Sequence, residues 1–318
     1  MKKLLKALRS PQMGNTLYIS VVAAVLLAVS GLIAPGFLAF SNLMNLMRQA
    51  APLGIICIGQ TLAILTSGVD LSVGSMAIFT NVLAANIMQG QDANNLAAFA
   101  ACAAVAITVG LINGVAVAKV GINPFVMTLA MGIVCNGAAL VYSGGAAGGA
   151  ASPFIRFVGA GRVGEIPVAV IAWAVLAAAT LFLLSRTTLG RRIYAVGSNK
   201  KTARLAGVNV PGVLILTYVL SALSAMVAGL LVTGTMGVGT FEWGFDYRLI
   251  SMAAVTMGGT VFSGGQGGYA GSCVSAAALI LLNSLLTIVR ISEPLRQMIY
   301  GGVILFSLWA SARKDPGR

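Results

Sequence analysis

The segment LAAFAACAAVAITVGLINGVAVA, residues 96–118, decides the class of fold. It has no ionisable side chain and exceeds the roughly 20 apolar residues that cross a bilayer core of about 30 Å. Similar runs recur along the 318 residues, of which 58% are hydrophobic and only 8% charged. With a mean hydropathy of +0.95, so few charges exclude an ordinary soluble protein. The sequence therefore predicts an all-α protein that crosses a membrane several times.

Apolar runs long enough to span a bilayer predict a polytopic protein with about ten transmembrane helices. They lie at 15–34, 51–66, 71–88, 96–118, 123–142, 166–185, 212–233, 249–262, 269–289 and 296–312. The runs 51–66 and 249–262 are short and bounded by glycine, so we expect them to be broken or to extend further. We divide the chain into a basic N-terminus (1–14), a transmembrane domain (15–312) and a tail (313–318).

The positions of the basic residues predict that both termini are cytoplasmic. An even number of spans places the termini on one side, and cytoplasmic segments carry an excess of lysine and arginine. With the termini inside, six of the 20 basic residues fall outside and the others inside; the outer ones are Arg48, Arg156, Arg162, Arg248, Arg290 and Arg296. A net charge of +13 could indicate nucleic-acid binding, but cations in short loops between spans favour the lipid bilayer as partner, with no nucleic acid.

The longest inner connection, 186–211, carries six cations and no acid. Apolar residues also recur in it at helical spacing: Ile193, Ala203, Leu205, Ala206 and Val208. One interpretation is a topology anchor at anionic lipid. An anchor needs fewer charges, so the other interpretation is a docking surface for a cytoplasmic partner.

The spans contain no constellation of catalytic groups. The chain has no histidine, its four cysteines lie far apart in sequence, and no G-x-x-x-x-G-K-[ST] phosphate loop is present. We expect no catalytic residue, cofactor or metal in this chain. An ion-coupled carrier would need buried ionisable groups, so energy for uphill transport is expected to enter through another subunit.

Neutral amides within the spans are candidates for lining a path for an uncharged, hydroxyl-rich solute. They are Gln60, Asn81, Asn113 and Asn136. The alternative is that such amides join helices to one another. Asp70, at a predicted inner boundary, has two compatible interpretations: it caps the third span, or it locks and releases an inner gate.

Two glycine-containing segments show a weak internal sequence similarity. GVDLSVG, residues 68–74, and GTVFSGG, residues 259–265, share glycine, serine and glycine at matching offsets. Both follow a short apolar run. A repeat of this kind is typical of transporter folds.

Four ordered motifs, between about residues 45 and 310, resemble those of the ribose/xylose/arabinose-type ABC sugar permeases. The first is GQTLAILTSGVDLSVGS (59–75), with Gly68, Asp70, Ser72 and Gly74; the second is NPFVMTL (123–129). The third runs from TLGR through YAVG to AGV (188–208); the fourth (258–267) includes Gly258, Gly259, Ser263 and Gly265.

This resemblance implies a permease subunit of an ATP-driven ABC importer for a small neutral sugar in the bacterial inner membrane. The implied partners are ATPase subunits that bind ATP and magnesium, a second permease subunit (a copy or a paralogue) and a periplasmic sugar-binding protein. A permease for a sugar-like signal such as a furanosyl autoinducer is the alternative within this class. An ion-coupled secondary carrier is the alternative outside it.

The resemblance also implies that loop 186–211 contains the segment that couples to the ATPase. The candidate coupling residues are Arg191, Arg192, Asn199, Lys200, Ala203, Arg204, Leu205 and Gly207. Residues 199–205 would form a short helix, and Gly207 the turn after it. Ser198 stands where glycine is common, and Lys200-Lys201 where acidic or small residues are frequent, which leaves the ATPase partner's identity open.

Overall fold

A computed structural model describes residues 11–241, 243, 247–292, 294–299, 301, 302 and 305. The basic residues 1–10, most of the apolar run 296–312 and the tail 313–318 lie outside the described residues. The helices are α1 (Pro11–Ile33), α2 (Phe40–Leu65), α3 (Val73–Met88), α4 (Asn95–Val115), α5 (Pro124–Ser143), α6 (Pro153–Ala160), α7 (Val168–Arg186), α8 (Thr188–Ser198), α9 (Lys200–Leu205), α10 (Val210–Met236), α11 (Tyr247–Met257) and α12 (Tyr269–Ile288). Short 3₁₀ helices (Pro35–Leu38, Asp92–Asn94), a π-helical turn (Ala116–Val120) and an antiparallel pair of strands, β1 (Arg162–Val163) and β2 (Ile166–Pro167), complete the described elements.

Seven segments of the described residues are long and apolar enough to cross a membrane. They are Thr16–Ile33, Phe40–Leu65, Asp92–Val120, Pro124–Ser143, Val168–Arg186, Val210–Met236 and Tyr269–Ile288. The helical, polytopic class of the protein is therefore confirmed. The total of ten spans and the cytoplasmic position of both termini stay predictions.

The two short apolar runs have different outcomes. Run 51–66 extends towards the N-terminus and forms most of α2, which has 26 residues. Run 249–262 contains the 11-residue α11 and then a glycine-rich segment. Helix α3 has 16 residues, about 24 Å at 1.5 Å per residue, so it too is shorter than a bilayer core of about 30 Å.

Helices α2 and α10 form the centre of the bundle. Within the apolar window of α2, 89% of the residues are buried, and α10 packs against α2, α3 and α4. Gly110 and Gly114 bring α4 close to α10, because a Cβ atom there would lie 2.5 Å from Val219 Cα and 2.6 Å from Ile215 Cα. Small residues four apart thus serve close helix packing, as their spacing predicts.

A buried chain of hydrogen bonds joins α7, α12 and α2. Trp173 Nε1 donates to the Tyr269 hydroxyl over 2.8 Å, and that hydroxyl donates to Gly54 O over 2.8 Å. Gly54 lies two residues after Pro52, which interrupts the hydrogen-bond ladder of α2. These two hydrogen bonds therefore tie α7 and α12 to α2 near the position where Pro52 weakens it.

Candidate functional site

Helices α2 and α11 end with the same capping pattern, a Schellman motif. In each, the residue in the left-handed conformation and the residue after it donate backbone hydrogen bonds to the last turn. The bonds are Ser67 to Ile64 (3.0 Å) and Gly68 to Ala63 (2.9 Å) in α2, and Gly259 to Thr256 (2.9 Å) and Thr260 to Val255 (3.2 Å) in α11. In this capping pattern Ser67 (φ 58°) corresponds to Gly259 (φ 92°). The sequence similarity instead aligns Gly68 with Gly259, so the two alignments differ by one residue. The repeat itself stays a prediction.

Three segments distant in sequence meet where α2 ends: residues 65–68, 197–198 and 263–267, which we call the junction. The Ser67 hydroxyl lies 3.1 Å from Gly197 O, 130 residues away, and 2.7 Å from Ser263 O, 196 residues away. Gly265 N–H donates to Leu65 O over 2.9 Å. The junction therefore connects the first, third and fourth sequence motifs.

Glycines let the backbones of the junction approach one another. A Cβ atom on Gly197 would overlap Leu65 O, and one on Gly264 would overlap the Ser67 hydroxyl. In addition to these backbone contacts, the Tyr194 hydroxyl of α8 donates a hydrogen bond to Gly267 O over 2.9 Å. Helix α8 is thus fixed to the segment between α11 and α12 as well as to the end of α2.

The short helix and turn predicted in loop 186–211 are confirmed. Asn199 is the N-cap of α9 and accepts a hydrogen bond from Thr202 N–H over 3.0 Å. Gly207 follows in the left-handed conformation, with φ 78°. The loop also contains α8, whose N-cap is Thr187.

Helices α8 and α9 each have a buried side and an exposed side. Ile193, Val196 and Ala203 are buried. The other predicted coupling residues are exposed: Arg191, Arg192, Asn199, Lys200, Arg204, Leu205 and Gly207. Leu205, 89% exposed, stands among cations, so this surface combines positive charge with an apolar side chain.

The connection between α2 and α3, residues 66–72, forms a buried elbow. Its Asp70 is 0% exposed, although the sequence placed it at a span boundary. Helix α3 begins at Val73, and Ser72 stands before it without a side-chain capping hydrogen bond. Asp70 Oδ1 accepts hydrogen bonds from the Ser72 N–H (2.9 Å) and hydroxyl, so the carboxyl group satisfies an N–H group at the start of α3. The capping and gate interpretations of Asp70 both stay predictions.

The elbow is anchored to helices on either side. Leu71 N–H donates to the Thr128 hydroxyl of α5 over 3.0 Å. Gly68 packs on the Tyr218 hydroxyl of α10, where a Cβ atom would come within 2.6 Å. Like Gly68, Gly74 is buried. The first motif therefore supplies the packed turn that carries Asp70.

Four polar residues from the elbow, α4 and α10 form a buried polar cluster: Asp70, Ser72, Asn113 and Ser221. Asn113 Nδ2 of α4 donates to the Ser72 hydroxyl over 3.1 Å. The Ser221 hydroxyl of α10 lies beside the Asp70 carboxyl group, without reaching hydrogen-bond geometry. Asp70 Oδ2, Asn113 Oδ1 and Ser221 Oγ have no hydrogen-bond partner within the described part of the chain.

No hydrogen bond joins any two of the four predicted path-lining amides within the described part of the chain. Asn81 lies in the middle of α3 and joins it to α10 and the segment after α10. It donates to the Thr233 hydroxyl (3.0 Å) and Val238 O (3.2 Å) and accepts from Thr240 N–H (2.8 Å). Asn113 belongs to the polar cluster. For Asn81, the alternative of a helix-joining amide therefore holds.

Gln60 and Asn136 retain free hydrogen-bonding capacity. Both amide atoms of Gln60 are buried in α2 and lack a partner among the described residues, as does Oδ1 of the half-buried Asn136 in α5. A cavity of about 400 Å³ lies elsewhere, beside the junction. It is lined by Thr16, Leu181, Leu184, Ser185, Tyr194, Gly258 and residues 267–271.

Sequence reasoning missed the residue that connects the junction. Ser67 stands in the first motif, but its left-handed backbone and its two carbonyl contacts depend on segments far along the chain. The local signal is the run Thr66-Ser67-Gly68 after an apolar stretch, which is typical of a helix end. Tyr194 belonged to the third motif without an assigned role.

Comparison with known proteins places the chain among transport permeases. Residues 42–308 match the family described as the permease component of branched-chain amino acid transport systems. The chain is 34% identical over 295 residues to the ribose import permease protein RbsC of Escherichia coli K12, covering 92% of each chain. It is 33% identical to RbsC of Bacillus subtilis over 302 residues, covering 92% of this chain and 91% of that one. It is 32% identical to the galactose/methyl galactoside import permease protein MglC of Salmonella typhimurium over 309 residues, covering 91% and 92%. No solved structure matches the chain.

Proposed function

The chain belongs to this family of permease components, as a multi-pass protein of the bacterial inner membrane, and from that premise we propose that it forms the translocation path of an ATP-driven importer for a small neutral sugar. Relatives named for ribose, allose and galactose transport support a pentose or hexose as cargo. An uncharged polyol also suits the neutral amides of the spans. ATP and magnesium bind to partner subunits, and a periplasmic binding protein delivers the sugar.

The observation that carries the coupling part of the proposal is the Ser67 hydroxyl, which contacts both Gly197 O and Ser263 O. An ATPase that binds the cationic surface of α8 and α9 would move α8. Because Gly197 and Leu65 leave no space between their backbones, α8 cannot shift without moving the end of α2. The same shift would pull on the segment between α11 and α12 through Tyr194 and Gly267.

The path itself is proposed to open along α2 at the centre of the bundle. Gln60 is the candidate cargo contact, because its buried amide has a free donor and a free acceptor, which suits a sugar hydroxyl. A second permease subunit would complete the path. Specificity is expected to reside in the binding protein.

The test is purification of the tagged chain from its host membrane in mild detergent, followed by identification of co-purifying proteins. A variant with Arg191, Arg192, Lys200 and Arg204 changed to glutamine removes four of the five positive charges of α8 and α9, leaving that of Lys201. We expect an ATPase subunit to accompany the native chain and to be lost from this variant. Sugar uptake into liposomes with the ATPase and binding protein should require ATP.

The control is a variant with Lys119 and Arg186 changed to glutamine. Both residues are exposed and lie outside α8 and α9, so the ATPase should be retained. Loss of the ATPase from both variants would make the interaction a non-specific charge effect. Uptake by the chain alone without ATP would instead establish a secondary carrier, and uptake of a furanosyl signal but no pentose or hexose would establish the alternative cargo.

A further inference from the structure

Asp70 is a fully buried carboxyl group without a cationic partner among the described residues. The neighbours that act on its charge are Ser72 and Ser221, with no lysine or arginine among them. The other titratable groups near it are the Tyr218 hydroxyl of α10 and the Cys135 thiol of α5. Neither can neutralise a carboxylate, and burying an unpaired carboxylate is strongly unfavourable.

The chemistry of the polar cluster fixes the orientation of Asn113. The Ser72 hydroxyl has one hydrogen, which it donates to Asp70 Oδ1. Its lone pairs can then only accept, so the Asn113 atom 3.1 Å away must be the amide nitrogen. Asn113 Oδ1 consequently faces away from Ser72 as a buried acceptor without a donor.

The cluster therefore lacks one donor. Two acceptor oxygens, Asp70 Oδ2 and Asn113 Oδ1, are buried without partners, and the Ser221 hydroxyl is the other unpartnered group of the cluster. One hydroxyl hydrogen cannot satisfy two acceptors that each need a donor. A single proton on Asp70 Oδ2 supplies the missing donor and removes the buried charge.

Other occupants account for the cluster less well. A water molecule would donate to both oxygens but leave the charge uncompensated. A monovalent cation would compensate the charge, but the unpartnered oxygens of the cluster would give it only three ligands, fewer than a cation held by protein oxygens takes. A proton meets both requirements without further ligands.

We infer that Asp70 holds a proton and acts as a neutral carboxylic acid, which donates from Oδ2 to the Asn113 or Ser221 oxygen while Oδ1 accepts from Ser72. The protonated group ties the elbow to α4 and α10. At alkaline pH the proton passes to water, the carboxylate remains without a counter-ion, and the elbow loosens. This assignment is independent of the cargo and of the ATPase.

The direct test is infrared spectroscopy of the full chain in lipid nanodiscs at pH 7, with carbon-13-labelled aspartate. A protonated carboxyl group absorbs apart from carboxylates and amides, and the label identifies it as aspartic acid. We expect this band in the native chain and in Asp92→Asn, and its loss in Asp70→Asn. Asp92 is the matched control, because it is exposed and accepts from Phe154 N–H (2.9 Å) and Asn95 Nδ2 (3.0 Å).

An equal band in the native chain and Asp70→Asn would show that Asp70 is ionised and would overturn the inference. A second measurement does not depend on the variant: the band of the native chain should disappear reversibly on titration to alkaline pH, with a parallel fall in unfolding temperature. In Asp70→Asn, where an amide nitrogen replaces the acid donor, the unfolding temperature at pH 7 should stay close to the native value and the alkaline fall should be lost. A sodium-specific rise in unfolding temperature that disappears in Asp70→Asn would make the site a cation site and refute the proton.

Discussion

The middle of α3 and the elbow before α3 are held in different ways. Around the middle, Asn81 makes three hydrogen bonds, and Gly148 and Gly239 next to it exchange backbone hydrogen bonds of 3.1 and 2.9 Å in an isolated β-bridge. At the elbow and the junction, hydroxyl groups and glycine backbones make most of the contacts, and Asp70 Oδ2 has no partner among the described residues.

From this difference we expect the junction, rather than the region around Asn81, to move. A segment held by several saturated hydrogen bonds can shift only if all of them break together. At the junction, by contrast, few bonds hold closely packed backbones, so the three segments can shift as one unit at a small cost. We therefore expect changes near Asn81 to reduce stability, and changes at the junction to reduce the link between ATP hydrolysis and transport.

The largest effect is expected for Gly197→Ala. The added methyl group overlaps Leu65 O, and such overpacking against backbone costs about 3 kcal/mol. A lower unfolding temperature in detergent and loss of uptake would be the measured results. Gly137→Ala in α5 is the control: nothing lies within 4 Å of its Cβ position, so its unfolding temperature should be unchanged or slightly higher. Native stability of Gly197→Ala would contradict the packing at the junction.

The next largest effect is expected for Asn81→Leu. Loss of the amide leaves Thr240 N–H and Val238 O without their partner, at about 2 kcal/mol of unfolding free energy. Because the region around Asn81 is expected to stay fixed during transport, the ATP hydrolysed per sugar transported should stay at the native value. A changed ATP-to-sugar ratio with normal stability would reverse the comparison between this region and the junction.

Ser67→Ala is expected to show the opposite pattern. Removing one hydroxyl costs about 1 kcal/mol. It takes away the polar contacts of the end of α2 with Gly197 O and Ser263 O, while the backbone contact of Gly197 with Leu65 and the bond from Tyr194 to Gly267 O remain. ATP hydrolysis should continue while sugar uptake falls, so more ATP is used per sugar. In the control Ser185→Ala, an exposed hydroxyl that bonds only Leu181 O of its own helix is removed, and the ratio should not change.

The smallest effect is expected for Tyr194→Phe, which removes the hydrogen bond to Gly267 O and about 0.5–1 kcal/mol of stability. Combined with Ser67→Ala, it tests whether the junction moves as one unit. Contacts of one unit are coupled, so the effects of the two changes on the ATP-to-sugar ratio should be non-additive. Strict additivity would mean that α8 reaches α2 and the 263–267 segment independently.

Much of the α8–α9 region was predictable because its determinants are local. An asparagine before a short amphipathic stretch caps a helix through its own first turn, as Asn199 does, and a glycine after the last turn adopts the left-handed conformation, as Gly207 does. The run 96–118 likewise predicts a spanning helix from its own hydropathy. The motif match then linked these elements to a permease family.

Asp70 and Asn81 show where this kind of prediction ends. Hydropathy and charge determined by themselves that the chain lies in a membrane, because the cost of placing polar groups in hydrocarbon depends on each segment alone. Only the tertiary structure decided that Asp70 is buried beside α4 and α10, that Asn81 joins two elements, and that Ser67 meets carbonyl groups 130 and 196 residues away. These contacts depend on the rotation and depth of packed helices, which are set by the neighbouring helices rather than by the segment's own sequence.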